Sequence, residues 1–219
     1  MNFIKTLLGK AKKYEFVFNE NGKHQLGGDI PTEFVIPNNE FKSNFQYLGF
    51  INNDDPAFNW LPFKLNLICP IYLDIDLVFL DYEKPNAPKL IYPNNTAEIG
   101  SAYRTLDLNS KVIYEARKFS LVEFDNVTED NEFDIKGIAG KPHWDQKHNI
   151  PICPKTNRKM KFVCQLTSWN DVPTKYTNVI AESKYEQNLF SKMNFWDDGN
   201  LYIFIEPEAK TVCYFIQNT

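Results

Sequence analysis

Apolar positions through most of the chain recur at the two-residue period of a strand. In YEFVFNENGKH, Tyr14, Phe16 and Phe18 alternate with Glu15, Val17 and Asn19, and Asn21-Gly22 supplies a turn. FQYLGFIN at 45–52 is the next apolar run. LDIDLVFLDY at 73–82 alternates apolar and acidic residues and predicts a half-exposed strand. Residues 84–95 are rich in Pro and Asn and read as loop. SKVIYEARKFSLVEF is compatible with a strand or a short helix, and NVTEDNEFD is acidic and turn-like. NLYIFIEP and TVCYFIQ predict two closing strands, joined as a hairpin across 207–210.

Helical spacing occurs twice. In MNFIKTLLGKAKKY, Phe3, Ile4, Leu7, Leu8 and Ala11 share one side, with Lys5, Lys10, Lys12 and Lys13 elsewhere. Such a basic amphipathic helix can lie on a membrane; the expectation here is a helix docked on the protein body. The run is too short, and too interrupted by Lys5, for a secretory signal. KYTNVIAESKYEQNLFSKM predicts the second helix, with Leu189, Phe190 and Met193 on one side. No stretch is apolar and long enough to span a bilayer.

Two regions share an order of signals. LGGDIPTEF, FQYLGFIN and LDIDLVFL form the first series; IAGKPHW, KFVCQLTSW and NLYIFI form the second. Each has small residues, a Pro, an aromatic, an apolar strand entering a polar turn, and a later apolar strand. One unit used twice explains this, with repeats at about 14–92 and about 135–219. The linkers hold no flexible hinge, so interlocked halves of one domain spanning 1–219 are expected. The fold class expected is α+β, mainly antiparallel β, with two related repeats and a few peripheral helices.

Composition narrows the function. The chain has 219 residues, 43% of them hydrophobic, which is ample for a buried core. Its 18 Phe and 11 Tyr suit sheet packing. A net charge of −4 and a pI near 5.5 offer no basic face, so nucleic acid is not an expected partner. Such a chain suits the cytoplasm and a basic protein partner. Cys69, Cys153, Cys164 and Cys213 are too scattered for a disulfide scaffold. Three lie among apolar residues; Cys153, before Pro154 and Lys155, reads as the least buried and the most open to oxidation.

The chain resembles the YwqG-like family, a bacterial domain of unknown function. The residues that carry the likeness are Gly27, Gly28 and Pro31, Ile36-Pro37, residues 47–52, Leu61-Pro62 and Asp76-Leu77-Val78-Phe79 in the first half. In the second they are Gly140, Pro142 and Gln146, residues 162–166, and WDDGNLYIFI at 196–205, the most specific element. Gly49 and Phe50 depart from the family's usual Ala and Gln. The resemblance implies a duplicated antiparallel β architecture and no established activity. Some members sit beside secreted toxins, which implies an immunity or accessory role. A more distant likeness is to the C-terminal domain of programmed cell death protein two, whose Cys-Pro-x-Cys element falls at Cys153-Pro154-Lys155-Thr156. The likeness implies a second thiolate pair downstream, and Glu206-Pro207-Glu208-Ala209 stands at its place. One Cys of four such positions remains, and His143 and His148 fit no recurring zinc spacing, so no metal is expected.

Candidate chemistry is sparse. His143, Asp145 and His148 read as solvated loop residues rather than acid–base machinery. Cys164 beside Gln165 reads as a buried thiol, not a nucleophile. No nucleophile elbow, Walker loop, zinc-protease helix or calcium loop occurs. Trp196-Asp197-Asp198-Gly199 reads first as a turn in which Gly199 takes a positive φ, and second as a recognition surface. Gln165 and Gln146 read as side chains that tie backbone between the repeats. Acidic residues gather at Asp74, Asp76, Asp81 and Glu83, and at Glu129, Asp130, Glu132 and Asp134. If they converge, they steer a basic partner. The expectation is a non-enzymatic cytoplasmic binding protein that neutralises or escorts a protein partner, a basic toxin foremost, with Trp196, Asp197, Asp198, Trp144 and Gln165 as contacts. No catalytic residue, metal or cofactor is assigned. The alternative is a small-molecule or peptide-binding module with a groove between the repeats; an enzyme ranks third.

Overall fold

A computed structural model describes residues 12–37, 44–70, 73–74, 77–91, 100–101, 109–125, 127–128, 133–195 and 197–218. Residues 1–11 of the expected N-terminal helix and Trp196 lie outside the described residues, and Lys13 and Tyr14 at the end of that helix belong to a strand. The strands are β1 (Lys13–Phe18), β2 (His24–Leu26), β3 (Phe45–Ile51), β4 (Leu65–Pro70), β5 (Leu73–Asp74), β6 (Val78–Asp81), β7 (Lys89–Ile91) and β8 (Gly100–Ser101). They continue with β9 (Val112–Tyr114), β10 (Arg117–Phe124), β11 (Gly137–Ala139), β12 (Lys161–Thr167), β13 (Thr174–Thr177), β14 (Asn200–Glu206) and β15 (Thr211–Gln217). Helix α1 (Lys184–Leu189) precedes β14. The protein is thus mostly antiparallel sheet with very little helix. No helix among the described residues is long and apolar enough to cross a membrane.

Eleven strands form one sheet in the order β4-β3-β2-β10-β1-β11-β12-β14-β15-β6-β7. β1 and β2 flank the Asn21-Gly22 turn yet do not pair, because β10 lies between them. Gly22 makes that passage possible: a Cβ there would stand 2.4 Å from the backbone of Phe119. Val17 faces Ser120 in the β1–β10 register, and Phe16 stacks on Phe119 at 4.1 Å. Reading outward, β10 pairs with β2 and β1 with β11. β3 slips register against β4 at Leu48, between Tyr47 and Gly49. β12 slips against β14 at Val163, between Phe162 and Cys164. Two small sheets, β13–β9 and β5–β8, lie outside the main one.

Strand alternation sends side chains to two cores. Leu201, Ile203, Ile205, Val212 and Tyr214 join Phe16, Leu26, Tyr47 and Leu67 on the larger side. Tyr202, Phe204, Cys213 and Phe215 join Phe79, Cys153 and Met160 on the other. β14 and β15 are covered on both faces, which is why their sequences read as unbroken apolar runs. Inside the larger core the Tyr82 hydroxyl lies 2.8 Å from Asn66 O and 3.2 Å from the Tyr214 hydroxyl.

Several expectations change here. The 73–82 strand is two strands, β5 and β6, with 75–76 outside the described residues. β6 is buried rather than half-exposed, because Val78 and Leu80 enter the larger core and Phe79 the second one. The 84–95 loop contains β7, an edge strand. The second helix shortens to α1, because Thr174, Tyr176 and Thr177 pair with β9. Ser183 then caps α1, its Oγ accepting the Glu186 N–H at 3.1 Å. Leu189, Phe190 and Met193 are all buried.

Candidate functional site

Gly140 redirects the chain after β11. Its φ is 85°, and a Cβ there would lie 2.0 Å from the Lys12 carbonyl. The segment that follows lies over the second face of the sheet. Trp144 stacks on Tyr202 at 5.1 Å and on Phe204 and Phe215 beyond it. Side chains from the strands hold this segment by its backbone. Gln165 Oε1 accepts the His143 N–H at 3.0 Å. The Tyr202 hydroxyl accepts the Asp145 N–H at 3.2 Å and donates to the His143 carbonyl at 2.5 Å. Gln217 Oε1 accepts the Gln146 N–H at 3.3 Å, and its Nε2 donates to the Lys147 carbonyl at 2.9 Å.

Beside this lid lies a cleft of about 40 Å³. Its floor is Ile138, Gln165, Thr167 and Asn200, from β11, β12 and β14. Val127, Ile135 and Trp169 form apolar walls; His143, Asp145 and Asp198 complete the lining. Asn200 Nδ2 donates to Asp145 Oδ2 at 2.7 Å, and the Tyr202 hydroxyl lies 3.0 Å from the same oxygen. Burial pushes the Asp145 carboxyl above its usual range; Asn200, Tyr202 and His143 pull it back, and Asp198 pushes it up further. Burial, with the Asp145 charge, also holds Tyr202 well above an ordinary phenol. Asn200 Oδ1 is buried with no hydrogen-bond partner among the described residues. At the rim, Trp169 is 37% exposed and Phe133 57%, and they meet edge to face at 5.1 Å.

The sequence candidates divide. Gln165 and Asp198 line the cleft together, and Trp144 stands next to it as a lid over the aromatic core. Asp197 belongs to a turn: its N–H donates to Asn194 Oδ1 at 2.7 Å, and its carboxylate accepts from the Tyr185 hydroxyl at 3.3 Å. Asp197, not Gly199, takes the positive φ, 68°. Gly199 is required for space, since a Cβ would stand 2.0 Å from the Phe195 carbonyl. Gln165 and Gln146 tie backbone as expected, but to the 143–147 segment and to Asn218 rather than to the front of the chain. Asp145, read from sequence as solvated, is half-buried and hydrogen-bonded. Trp169 and Phe133 carried no signal that separated them from ordinary strand and turn residues, and Asn200 and Tyr202 stood out only as part of the WDDGNLYIFI stretch.

Cys153 is fully buried, contrary to its expected exposure. Residues 151–160 close a knuckle around it: Cys153 N–H donates to the Arg158 carbonyl and Asn157 N–H to the Cys153 carbonyl, both at 2.8 Å. Burial works to raise the thiol, but hydrogen bonds from Thr156, the Lys155 and Thr156 backbone and Thr211 together hold it below its usual range. All four cysteines are free and buried. Arg158 joins the knuckle to the 206–209 turn through Glu206 at 2.9 Å and Glu208 at 2.7 Å. No cluster of three or more His, Cys, Asp or Glu among the described residues is placed to hold a metal. Of the acidic groups, Asp81 pairs with Lys155 and Glu83 with Lys210; Asp76, Glu129, Asp130 and Glu132 lie outside the described residues.

Comparison of the chain with family models, curated proteins and solved structures returns no match.

Proposed function

We propose that this chain is a non-enzymatic cytoplasmic binding protein that neutralises or escorts a basic protein partner. The observation that carries the reading is the acidic cleft beside Trp144, with exposed Trp169 and Phe133 at its rim. Aromatic side chains around a carboxylate-lined hollow supply contact area and charge selectivity together. A cavity of about 40 Å³ is far below the several hundred Å³ typical of small-molecule sites, which favours one side chain of a larger partner. The net charge of −4 attracts a basic surface, and four unpaired cysteines fit a reducing compartment. A toxin is the partner that the YwqG-like resemblance suggests.

The scaffold in this reading is a duplicated unit with exchanged first strands. The support is a set of matched positions. β1, β2, β3 and β4 correspond in order to β10, β11, β12 and β14, with β1 and β10 antiparallel at the junction. Gly27 and Gly140 follow the second strand of each set, both at positive φ, and each Cβ would stand 2.0 Å from a carbonyl, Glu115 or Lys12. Leu48 and Val163 are the slipped residues of the third strands. This alignment starts the second copy at Arg117 rather than near 135.

Affinity capture from the source cell tests the reading. A basic protein retained at low salt, released as salt rises, and less toxic or more soluble in the complex is the expected result. Turnover of a small metabolite by the purified chain, with no protein retained, would defeat it.

A further inference from the structure

We propose that the cleft over β11, β12 and β14 receives the ammonium head of a lysine side chain presented by a basic protein partner. The inference rests on the binding reading above and adds the chemistry of the contact. Three features point to this head group.

The first is an unspent acceptor. Asn200 is 8% exposed, and its Nδ2 is committed to Asp145. Its Oδ1 is buried with no hydrogen-bond partner among the described residues, and the residue lines the cleft. A buried acceptor in that state costs stability until a donor arrives. The second is the sign of the surroundings. Asp145 and Asp198 both border the cleft, and the Asp198 charge makes the Asp145 carboxyl harder to ionise. Of the other polar groups on the floor, the Gln165 amide oxygen is already held by the His143 N–H and the Thr167 hydroxyl donates to the Ile135 carbonyl. A cation relieves the crowding of carboxylates; an anion worsens it. The third is size and shape. About 40 Å³ takes a small head group, not a nucleotide or an organic cofactor. An ammonium is compact and carries three N–H donors, matching acceptors on Asp145, Asp198 and Asn200. Ile135, Ile138, Val127 and Trp169 offer apolar wall for the methylene stem. A guanidinium is wider and demands a planar fork of acceptors.

The test uses the full chain, isotope-labelled, titrated with Nα-acetyl-lysine methylamide and followed by backbone amide resonances. Shifts confined to His143, Asp145, Gln165, Asp198, Asn200 and their neighbours support the proposal. Nα-acetyl-norleucine methylamide, the uncharged isostere, is expected to leave those resonances still. Asp198→Asn, at a half-exposed turn position, is expected to weaken the lysine analogue about tenfold. Binding is also expected to fade as the pH drops through the elevated pKa of Asp145, a group faced by Asp198, His143 and Tyr202. Equal shifts with norleucine, equal or tighter binding of the arginine analogue, no shift with lysine, or indifference to Asp198→Asn each overturn it. The two readings fail separately. A captured protein partner that binds Asp198→Asn as tightly as the parent removes the lysine pocket and leaves the binding protein standing. Binding of the lysine analogue with no protein partner recovered does the reverse.

Discussion

His24 sits between Phe58 and Phe119 with no exposed surface, its Nδ1 accepting the Asn52 N–H at 3.1 Å. Burial lowers its pKa from 6.5; Asp55, 3.4 Å from Nε2, offsets this only in part, and Lys23 adds to the lowering. An imidazole held neutral in the fold is protonated first in the unfolded chain. Stability therefore falls as the pH drops through 6.5 and goes on falling until the folded His24 takes up its proton. Urea unfolding at about pH 7.5 and about pH 5.5 is expected to show a lower midpoint at the acid value. His24→Gln is expected to flatten that difference; an unchanged difference assigns the slope to other groups. Arg158 gives a second test at this scale. The side chain of Glu206 is 6% exposed and holds one of the contacts of Arg158. Arg158→Met leaves that carboxylate with the Ala209 N–H but no cation and is expected to lower the denaturant midpoint, while a chelator changes nothing. The cysteines supply a third. A thiol reagent is expected to label none of the four in the native protein and all four in denaturant, because each is buried. Rapid native labelling of Cys153 would restore the exposed reading that its Pro-Lys neighbours suggested. Local sequence misjudged that thiol because its cover comes from β14 and β15, which carry Tyr202, Phe204 and Cys213 of the same core.

At the scale of elements, pattern was a good guide wherever a strand met water on one side or was apolar throughout. β1, β3, β14 and β15 all fall where alternation or an apolar run put them. It was a poor guide where context outweighed propensity. The stretch KYTNVIAESKYEQNLFSKM has helical spacing, yet Thr174–Thr177 is taken by pairing with β9, and the helix is left with Lys184–Leu189. The acidic residues of 73–82 suggested a wet face, but Val78 and Leu80 enter the core on one side of the sheet and Phe79 the core on the other. The glycine turns are the element-scale prediction. Gly27→Ala and Gly140→Ala each combine positive φ with a Cβ 2.0 Å from a carbonyl oxygen. Each is expected to cost more than about 2 kcal/mol, by a similar amount, in equilibrium unfolding. A tolerated change at one site and a severe loss at the other would weaken the proposed correspondence of the two sets of strands.

Across the whole molecule, the consequence of the topology is that neither end of the chain holds a complete sheet. β1 lies between β10 and β11, and β2 pairs with β10 and β3. Fragments 1–109 and 110–219, expressed apart, are expected to lack protected amides and a cooperative unfolding transition. Expressed together, they are expected to form a one-to-one complex with the parent's spectrum. A fragment that folds alone would show that β1 and β10 are dispensable to the strands beside them. The same topology places Val17 opposite Ser120, so the central pair closes a long loop, and folding is expected to be slow for a chain of this length.

The sequence by itself determined the β-rich class, the closing hairpin, the apolar core composition and the glycine turns, because each depends on residues within a few positions of one another. It also named Gln165 and Asp198. Only the tertiary structure decided that these two border one cleft with Asp145 and Asn200, that Cys153 is covered, and that β10 parts β1 from β2. Those outcomes depend on strands that meet across long separations in the chain, and a period of two carries no record of which strand will be the neighbour.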